Sequence, residues 1–273
     1  MKLMLLFFIF WNIQSGKAII GGKEVIPNQY PWVLDLFINL EKGWSSCGAS
    51  LISKKHALTA AHCVFLSERG SIKNMEITAG EHSLIQNENS EKKIKVCKFK
   101  IHPQYYIKYY NPYKSVDLAI LEFCDPIEFN EHIQPIELAH PKLNIWKYGR
   151  PIVTTAGWGK TENSKKLSPK LRAITQKIRT LSHEVCEYLF SPFDPCSLYT
   201  WLAFIKNYIF TVDDYSGTNS GDSGGPLWWK DPETHKIYQV GVTSAGKNFG
   251  KRQLMSLKTA INKNYQWIMD NIN

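Results

Sequence analysis

The sequence has few cysteines, no extended apolar segment and no concentrated basic segment. Six cysteines among 273 residues are too few for a scaffold held together by disulfides alone, and no two of them form the C-x-x-C pair typical of zinc sites. The longest apolar run covers nine residues, 3–11, whereas a membrane-spanning helix needs roughly 20. Lys and Arg outnumber Asp and Glu by 33 to 24, but no Arg-rich run accompanies this excess. We therefore expect neither a nucleic-acid partner nor a membrane partner.

The first 18 residues have the pattern of a secretory signal peptide. Lys2 precedes the apolar run, and Gly16 and Ala18 supply small residues after it. A buried N-terminal strand is the alternative, but a positive residue, an apolar run and small residues in this order favour a signal. We therefore expect a secreted, extracellular protein, with granule or venom storage as variants of that location. The segment Lys17-Ala18 is either the end of the signal or a separate two-residue pro-segment.

The remaining sequence is typical of an all-β protein. Its composition, 44% hydrophobic and 21% charged, is that of an ordinary folded chain, and its length suits one large all-β unit or two smaller domains. Short β-branched or aromatic runs alternate with turn residues at 32–40, 50–59, 75–79, 93–101, 118–123, 152–156, 171–180, 225–229 and 237–244. That rhythm predicts a sandwich or a barrel. The C-terminus predicts a helix, because Ile261, Tyr265, Ile268 and Ile272 recur at helical spacing.

Three short segments contain residues suited to nucleophilic catalysis. Segment 58–63 contains His62, segment 116–121 contains Asp117, and segment 220–226 contains Ser223 within the run Gly-Asp-Ser-Gly-Gly. Each has an ordinary alternative by itself: a surface or core histidine, an aspartate capping a strand, and a glycine-rich turn. Together, in the order His, Asp, Ser, they indicate a catalytic set.

The sequence resembles the trypsin and chymotrypsin family of serine proteases from Ile19 to Ile268. The similarity rests on those three segments, on Ile-Ile-Gly-Gly at 19–22 and on Gly-Trp-Gly at 157–159, with further matches at 30–32, 47–52 and 102–105. This resemblance implies an all-β fold of two packed six-stranded antiparallel barrels with a C-terminal helix, formed by residues 19–273. It also implies that His62 and Asp117 come from the first barrel and Ser223 from the second.

The resemblance implies a serine endopeptidase that works through an acyl-enzyme. A serine hydroxyl is a weak nucleophile at neutral pH, so His62 would take the Ser223 proton as general base and return it to the leaving amine. Asp117 would hold the imidazole tautomer. The backbone N–H groups of Gly221 and Ser223 would stabilise the oxyanion. The alternative is a secreted binding or regulatory protein on an inactive protease scaffold, which the presence of all three residues disfavours.

Activation in this family requires a free N-terminus, which the resemblance assigns to Ile19. Its ammonium would pair with Asp222, the residue before the nucleophile. The sequence departs from the family here, because Ala18 rather than Arg or Lys precedes Ile19. A trypsin-like activator that cut after Lys17 would leave one residue too many. Either signal peptidase cuts directly after Ala18, or it cuts after Gly16 and a dipeptidase removes Lys17-Ala18.

The even number of cysteines in an exported protein predicts disulfides, and the resemblance narrows their pairing. It implies the bridge Cys47–Cys63, and it places Cys97 and Cys124 on neighbouring strands, where we expect a bridge outside the commonest family pattern. Cys186 and Cys196 remain as the third pair. Two bridges common in the family are absent, because Asn219 stands at one end of the first, and Val153 and Trp229 replace both ends of the second. We expect packing to take the place of the second bridge.

The resemblance places four residues at the substrate pocket: Gly217, Ser244, Gly246 and Ser256. Gly217 occupies the position where trypsin-like enzymes carry an aspartate that binds Arg or Lys. An uncharged floor and an open wall at Gly246 predict cleavage after an apolar residue, as in chymotrypsin-like or elastase-like enzymes. The alternative is a basic preference, with Asp213 or Asp214 reaching into the pocket.

The predicted chemistry requires no cofactor. Glu81, Glu88 and Glu91 match the spacing of carboxylates that bind calcium in trypsin-like relatives, so a structural calcium site is one interpretation and a solvated loop the other. We expect protein or peptide substrates, protein protease inhibitors as candidate partners, and a monomer.

Overall fold

The computed structural model describes residues 19–65, 70–105, 115–161, 164–179, 207–213, 216–249 and 253–272. A short strand, β1 (Lys23–Glu24), comes first. Six strands follow: β2 (Val33–Leu40), β3 (Gly43–Leu51), β4 (His56–Thr59), β5 (Ile72–Ala79), β6 (Lys92–Ile101) and β7 (Ala119–Phe123). They close into an antiparallel barrel in the order β2-β3-β4-β7-β6-β5.

The second half of the chain forms another antiparallel barrel. Its strands are β8 (Glu137–Leu138), β9 (Ile152–Gly157), β10 (Lys160–Thr161), β11 (Ser164–Leu167), β12 (Arg172–Arg179), β13 (Tyr208–Asp213), β14 (Pro226–Lys230), β15 (Ile237–Phe249) and β16 (Gln253–Ala260). Six of them close in the order β9-β12-β13-β16-β15-β14, because β12 also pairs with β9. Strand β1 pairs with β12, β8 pairs with β15, and β10 pairs with β11. The predicted fold of two six-stranded antiparallel barrels is confirmed.

Alternating burial explains why these segments form strands. In β2, Leu34, Leu36 and Ile38 are fully buried, whereas Asp35 is partly buried and Phe37 is exposed between them. Side chains of successive strand residues point to opposite faces, so one face of β2 fills the barrel and the other faces outward. The same pattern occurs along β12.

Several strands differ from the sequence-based prediction. The run predicted as one strand over 50–59 is divided between β3 and β4, because a turn at Ser53 joins them and Ile52 N–H donates to the His56 carbonyl. The first seven residues of β3 and the short strands β1, β8, β10 and β11 lie outside the predicted runs. Strands β13 and β16 were not predicted either. Their buried positions include polar side chains such as Thr211, Ser256 and Lys258, which interrupt the apolar alternation that identifies a strand.

The predicted C-terminal helix is present as α2 (Ile261–Met269). Ile261 and Ile268 are fully buried, and Tyr265 and Ile272 pack against the same core, as the helical spacing indicated. Among the described residues, no helix is both long and apolar enough to cross a membrane.

Two of the three predicted disulfides lie in the described residues and are formed. Cys47 on β3 is bonded to Cys63, and Cys97 on β6 is bonded to Cys124 just after β7. The predicted third pair, Cys186 and Cys196, lies outside the described residues, as does the predicted signal segment 1–18. Where the family commonly has another bridge, Val153 and Trp229 face each other across β9 and β14 and are both buried, so packing occupies that position.

Candidate active site

The first barrel brings His62 and Asp117 together at one edge. His62 lies in the short helix α1 (Ala61–Val64), directly after β4, and Asp117 lies just before β7. Strands β4 and β7 are antiparallel neighbours with Thr59 opposite Ala119, so the end of one lies beside the start of the other. His62 Nδ1 is 2.7 Å from Asp117 Oδ2, and the His62 backbone N–H donates to Asp117 Oδ1 at 2.9 Å. Both carboxylate oxygens therefore hold the histidine.

The second barrel completes the surroundings of Asp117. Ser244 Oγ, on β15, donates to Asp117 Oδ2 at 2.6 Å, and Thr259 Oγ1, on β16, donates to the Asp117 carbonyl at 2.9 Å. The aspartate is almost wholly buried. Burial alone would raise the pKa of Asp117, but the charge and hydrogen bonds of His62 and the hydroxyl of Ser244 outweigh it and lower that pKa below its ordinary value. Asp117 is thus held as a carboxylate.

Ser223 is placed by a loop of the second barrel that touches the first. The Gly48 N–H, on β3, donates to the Ser223 carbonyl at 2.7 Å. The neighbouring residue, Cys47, is bonded to Cys63, which follows His62 in the chain. One disulfide and one hydrogen bond therefore connect the segment that contains His62 to the segment that contains Ser223.

The backbone around the predicted oxyanion donors requires glycine. Gly221 has φ +102°, in the left-handed region, and a Cβ there would lie 2.5 Å from Leu167 Cδ2 and 3.0 Å from Gly159 Cα. Gly224 has φ +80° and packs directly against the first barrel. A side chain at either position would displace the turn that carries Ser223.

Asp222, beside the nucleophile, is buried with its carboxylate held by backbone donors. The N–H groups of Gly159 and Asn219 each donate to it at 2.8 Å. Burial raises the pKa of Asp222 despite these hydrogen bonds. Ile19, its predicted ion-pair partner, is fully buried, and the next residue, Ile20, pairs with Gly217. Ile19 thus lies in the interior and Ile20 lies beside the segment that precedes Ser223, and the ion pair itself stays a prediction.

A cavity of about 230 Å³ is lined in part by Ser223. Its walls are formed by Thr218, Asn219, Ser220, Ser223, Thr243, Ala245 and Gly246. Of the four residues predicted for the substrate pocket, Gly246 lines the cavity and the other three do not. Ser244 binds Asp117, Gly217 pairs with Ile20, and Ser256 lies behind the wall.

The wall at Gly246 is closer to the opposite side than the sequence predicted. A Cβ on Gly246 would lie 2.6 Å from the Thr218 carbonyl oxygen, so glycine here permits close approach of two backbone segments rather than an open mouth. Asp213, the proposed acid of a basic-residue pocket, accepts a hydrogen bond from Ser216 N–H and is not a lining residue of this cavity. Asp214 lies outside the described residues.

Sequence reasoning missed the residue beneath the cavity, Lys258. This lysine on β16 is fully buried, and its Nζ donates to Thr243 Oγ1 at 2.9 Å and to Thr218 Oγ1 at 3.2 Å. Burial lowers the pKa of Lys258, and the negative charge of Asp222 opposes that change. The signal was present in the sequence: Lys258 follows Ser256 by two residues, and residues two apart in a strand share a face.

The predicted calcium loop contains buried carboxylate oxygens. Within the described part of the chain, Glu81 Oε1 and Glu88 Oε2 are buried without a hydrogen-bond partner, and Glu91 accepts from the Glu88 N–H at 3.0 Å. Burial, followed by the negative charges of Glu91, Asp35 and Glu88, raises the pKa of Glu81 to about 7. The one cluster of metal-binding side chains found among described residues is Cys47, His62 and Cys63, whose cysteines are disulfide-bonded.

Comparison with known proteins identifies the family. The sequence model of the trypsin family matches residues 19–268. This chain belongs to the trypsin family. As a trypsin-family protein, it is a serine endopeptidase, and the match covers both barrels, the segments of His62, Asp117 and Ser223, and most of α2.

Individual relatives of this trypsin-family protease are distant. It is 28% identical over 262 residues to the clotting factor G beta subunit of Tachypleus tridentatus, which covers 92% of this chain and 79% of that protein. It is 27% identical over 268 residues to the proclotting enzyme of the same organism, covering 94% and 67%. A venom serine protease of Polistes dominula is 26% identical over 235 residues, covering 85% and 78%.

Proposed function

We propose that this protease forms an acyl-enzyme at Ser223, with His62 as general base and Asp117 as its positioning partner. The observation that carries the proposal is the double contact of Asp117 with the backbone N–H and Nδ1 of His62. An ionised carboxylate can only accept hydrogen bonds, so Nδ1 must donate and Nε2 is left as the acceptor. That tautomer is the one able to receive the Ser223 proton.

The reaction then proceeds in two halves. Ser223 Oγ attacks the carbonyl carbon of the scissile bond while its proton passes to His62 Nε2, and the carbonyl oxygen becomes an oxyanion between the N–H groups of Gly221 and Ser223. His62 gives the proton to the leaving nitrogen as the C–N bond breaks, which leaves an ester at Ser223. A water molecule then attacks this ester, with His62 again acting as the general base. This second half releases the carboxylic acid product and restores Ser223.

The cavity supports exclusion of basic side chains before the cut. Gly217 supplies no carboxylate, and the buried Lys258 beneath the walls adds a like charge that would repel Arg or Lys. The apolar preference remains the prediction of the sequence. The apolar prediction assumed that Gly246 leaves the mouth of the pocket open, whereas Gly246 lies close to Thr218.

We also infer that the protein is exported and that Ile19 is exposed by removal of residues 1–18. Two disulfides among the described residues suit an oxidising compartment. The names of relatives, a clotting factor subunit and a venom serine protease, support the same location. Once free, the Ile19 ammonium would neutralise the buried Asp222, whose unpaired charge would otherwise cost several kcal/mol.

We propose that Glu81, Glu88 and Glu91 hold a structural divalent cation, which would have to draw together three carboxylates that do not meet at one point among the described residues. The partnerless oxygens of Glu81 and Glu88 and the raised pKa of Glu81 fit a hard cation such as calcium, which prefers carboxylate ligands. Such an ion would hold the loop that follows β5 and would take no part in the reaction.

Active-site labelling tests the catalytic proposal. Protein beginning at Ile19 should react with a fluorophosphonate at Ser223 at a pH where His62 is neutral, and the Ser223→Ala variant should not react. Protein that hydrolyses no peptide and resists labelling despite a free Ile19 would favour the alternative, a binding protein on an inactive scaffold.

A further inference from the structure

Lys258 has its amine buried directly behind the cavity that contains Ser223. It lies opposite Thr243 in the pairing of β15 with β16, and its Nζ donates to the hydroxyls of Thr243 and Thr218, both of which line the cavity. An ammonium has three N–H donors, and these two hydroxyls account for two of them. The positive charge therefore lies one hydroxyl layer below the floor of the cavity.

No carboxylate among the described residues forms a direct ion pair with this lysine. Asp222 is near enough to influence Lys258 electrostatically, but its oxygens accept from the N–H groups of Gly159 and Asn219. In the mature enzyme the Ile19 ammonium would also neutralise Asp222. Lys258 would then be a buried amine without a compensating anion, and an anion bound in the cavity would favour its protonated form.

The two threonine hydroxyls differ in whether their protons can be donated to a ligand in the cavity. Thr218 Oγ1 donates to Ser256 Oγ at 2.9 Å, so its proton is directed away from the cavity. Thr243 Oγ1 accepts from Lys258, and its own proton is available to a group in the cavity. A carboxylate in the cavity would accept that proton and lie close to the ammonium, which strengthens the hydrogen bond.

We propose that Lys258 makes this protease cleave after acidic residues, with the side-chain carboxylate of a Glu or Asp before the scissile bond held over Thr243. This inference rests on the proposed acyl-enzyme function and specifies its substrate class. Basic side chains would be repelled by Lys258. The close approach of Gly246 to the Thr218 carbonyl favours an unbranched side chain over an aromatic ring.

The test uses peptide amides that differ solely in the residue before the cut: Glu, Gln, Leu, Phe and Lys. Gln has the shape of Glu without its charge, so the Glu/Gln ratio of kcat/KM isolates the effect of the carboxylate. We expect a ratio of about tenfold or more in the native enzyme, equivalent to about 1.4 kcal/mol. Gln, Leu or Phe cleaved as well as Glu or better would overturn the proposal and restore the apolar prediction.

Two variants test whether Lys258 and Thr243 cause the preference for Glu over Gln. Lys258→Met keeps the length and apolar stem of the side chain but removes its charge, and Thr243→Val removes the hydroxyl at similar volume. Lys258→Met should reduce the Glu/Gln ratio to about one because it removes the charge, and Thr243→Val should reduce the ratio in part because the charge remains. The ratio is internal to each protein, so it does not depend on how much of that protein is folded. Lys177→Met, at an exposed position of β12, is the matched control and should keep the native ratio. A native ratio in Lys258→Met would also overturn the proposal.

Fluorophosphonate labelling distinguishes failure of the acidic preference from failure of the acyl-enzyme function. If the native protein labels at Ser223 and cleaves the Leu or Phe substrate but not Glu, the acyl-enzyme proposal stands and the acidic preference fails. If it neither labels nor cleaves any substrate, the proposed function itself fails.

Discussion

Replacing Gly224 by alanine tests how closely the two barrels approach at the nucleophile. Gly224 has φ +80°, and a Cβ on it would overlap Thr59 Oγ1 and the Gly48 carbonyl oxygen and lie 3.1 Å from Ala60 N. All three atoms belong to the first barrel, and two of them are backbone atoms. No side-chain rotation can therefore make room, so the substitution must move one barrel relative to the other or displace the Ser223 loop.

The magnitude follows from a comparison with Gly43→Ala. Gly43 has φ +94°, but nothing lies within 4 Å of a Cβ built there. Its substitution should cost the left-handed backbone alone, about 1–2 kcal/mol. Gly224→Ala should cost the same strain plus an overlap worth about 1–3 kcal/mol in a packed region. We expect total losses in the free energy of unfolding of about 1–2 kcal/mol for Gly43→Ala and about 2–5 kcal/mol for Gly224→Ala.

Urea unfolding would measure both losses, in a Ser223→Ala background that prevents self-digestion. In thermal unfolding each kcal/mol should lower Tm by about 2–4 °C for a protein of this size. With Ser223 present, Gly224→Ala should also slow fluorophosphonate labelling, whereas Gly43→Ala should not. Equal stability losses in the two variants, or native labelling in Gly224→Ala, would show that the barrels do not meet at Gly224 as described.

Two further predictions concern the N-terminus and the acidic loop. Chains that begin at Ile19, Ala18 and Lys17 should differ sharply in kcat/KM, because we expect a free Ile19 ammonium to neutralise Asp222, and equal turnover from all three would contradict the ion pair. In the loop, the pKa of Glu81 is raised from 4.5 to about 7, so the stability associated with its protonated form is present below about pH 4.5 and is lost as the pH rises through about 7. Calcium should therefore raise Tm more at pH 8 than at pH 5, and Glu81→Gln should abolish that difference. If calcium changes Tm at neither pH, the cation site is refuted.

Local patterns in the sequence were sufficient to predict an all-β chain and to single out the catalytic set, and the resemblance to the trypsin and chymotrypsin family supplied the two-barrel fold. His62, Asp117 and Ser223 each stand in a short motif whose order along the chain is itself informative. The disulfide between Cys47 and Cys63 and the helix that contains Ile268 were also predicted, because each depends on spacing within one short segment or on a family pattern.

The sequence predicted the substrate pocket less well, because its polar side chains are buried. Strand β16 was missed since Ser256 and Lys258 interrupt the alternation of apolar residues, although both are fully buried. A lysine in a sequence is normally interpreted as solvent-exposed. Its position behind Thr243 depends on the pairing of β15 with β16, which no local pattern specifies.

The tertiary structure alone decided which groups meet. The Ser244 hydroxyl donates to Asp117, a contact between the barrels that the sequence did not predict, and its neighbours Thr243 and Ala245 line the cavity. Gly246 was expected to open a wall, yet its neighbour across the cavity is the Thr218 carbonyl. Residue types and their order determined the chemistry available to this protein. The distances between distant segments, which arise from barrel closure and packing, determined that Lys258 lies behind the cavity that contains Ser223.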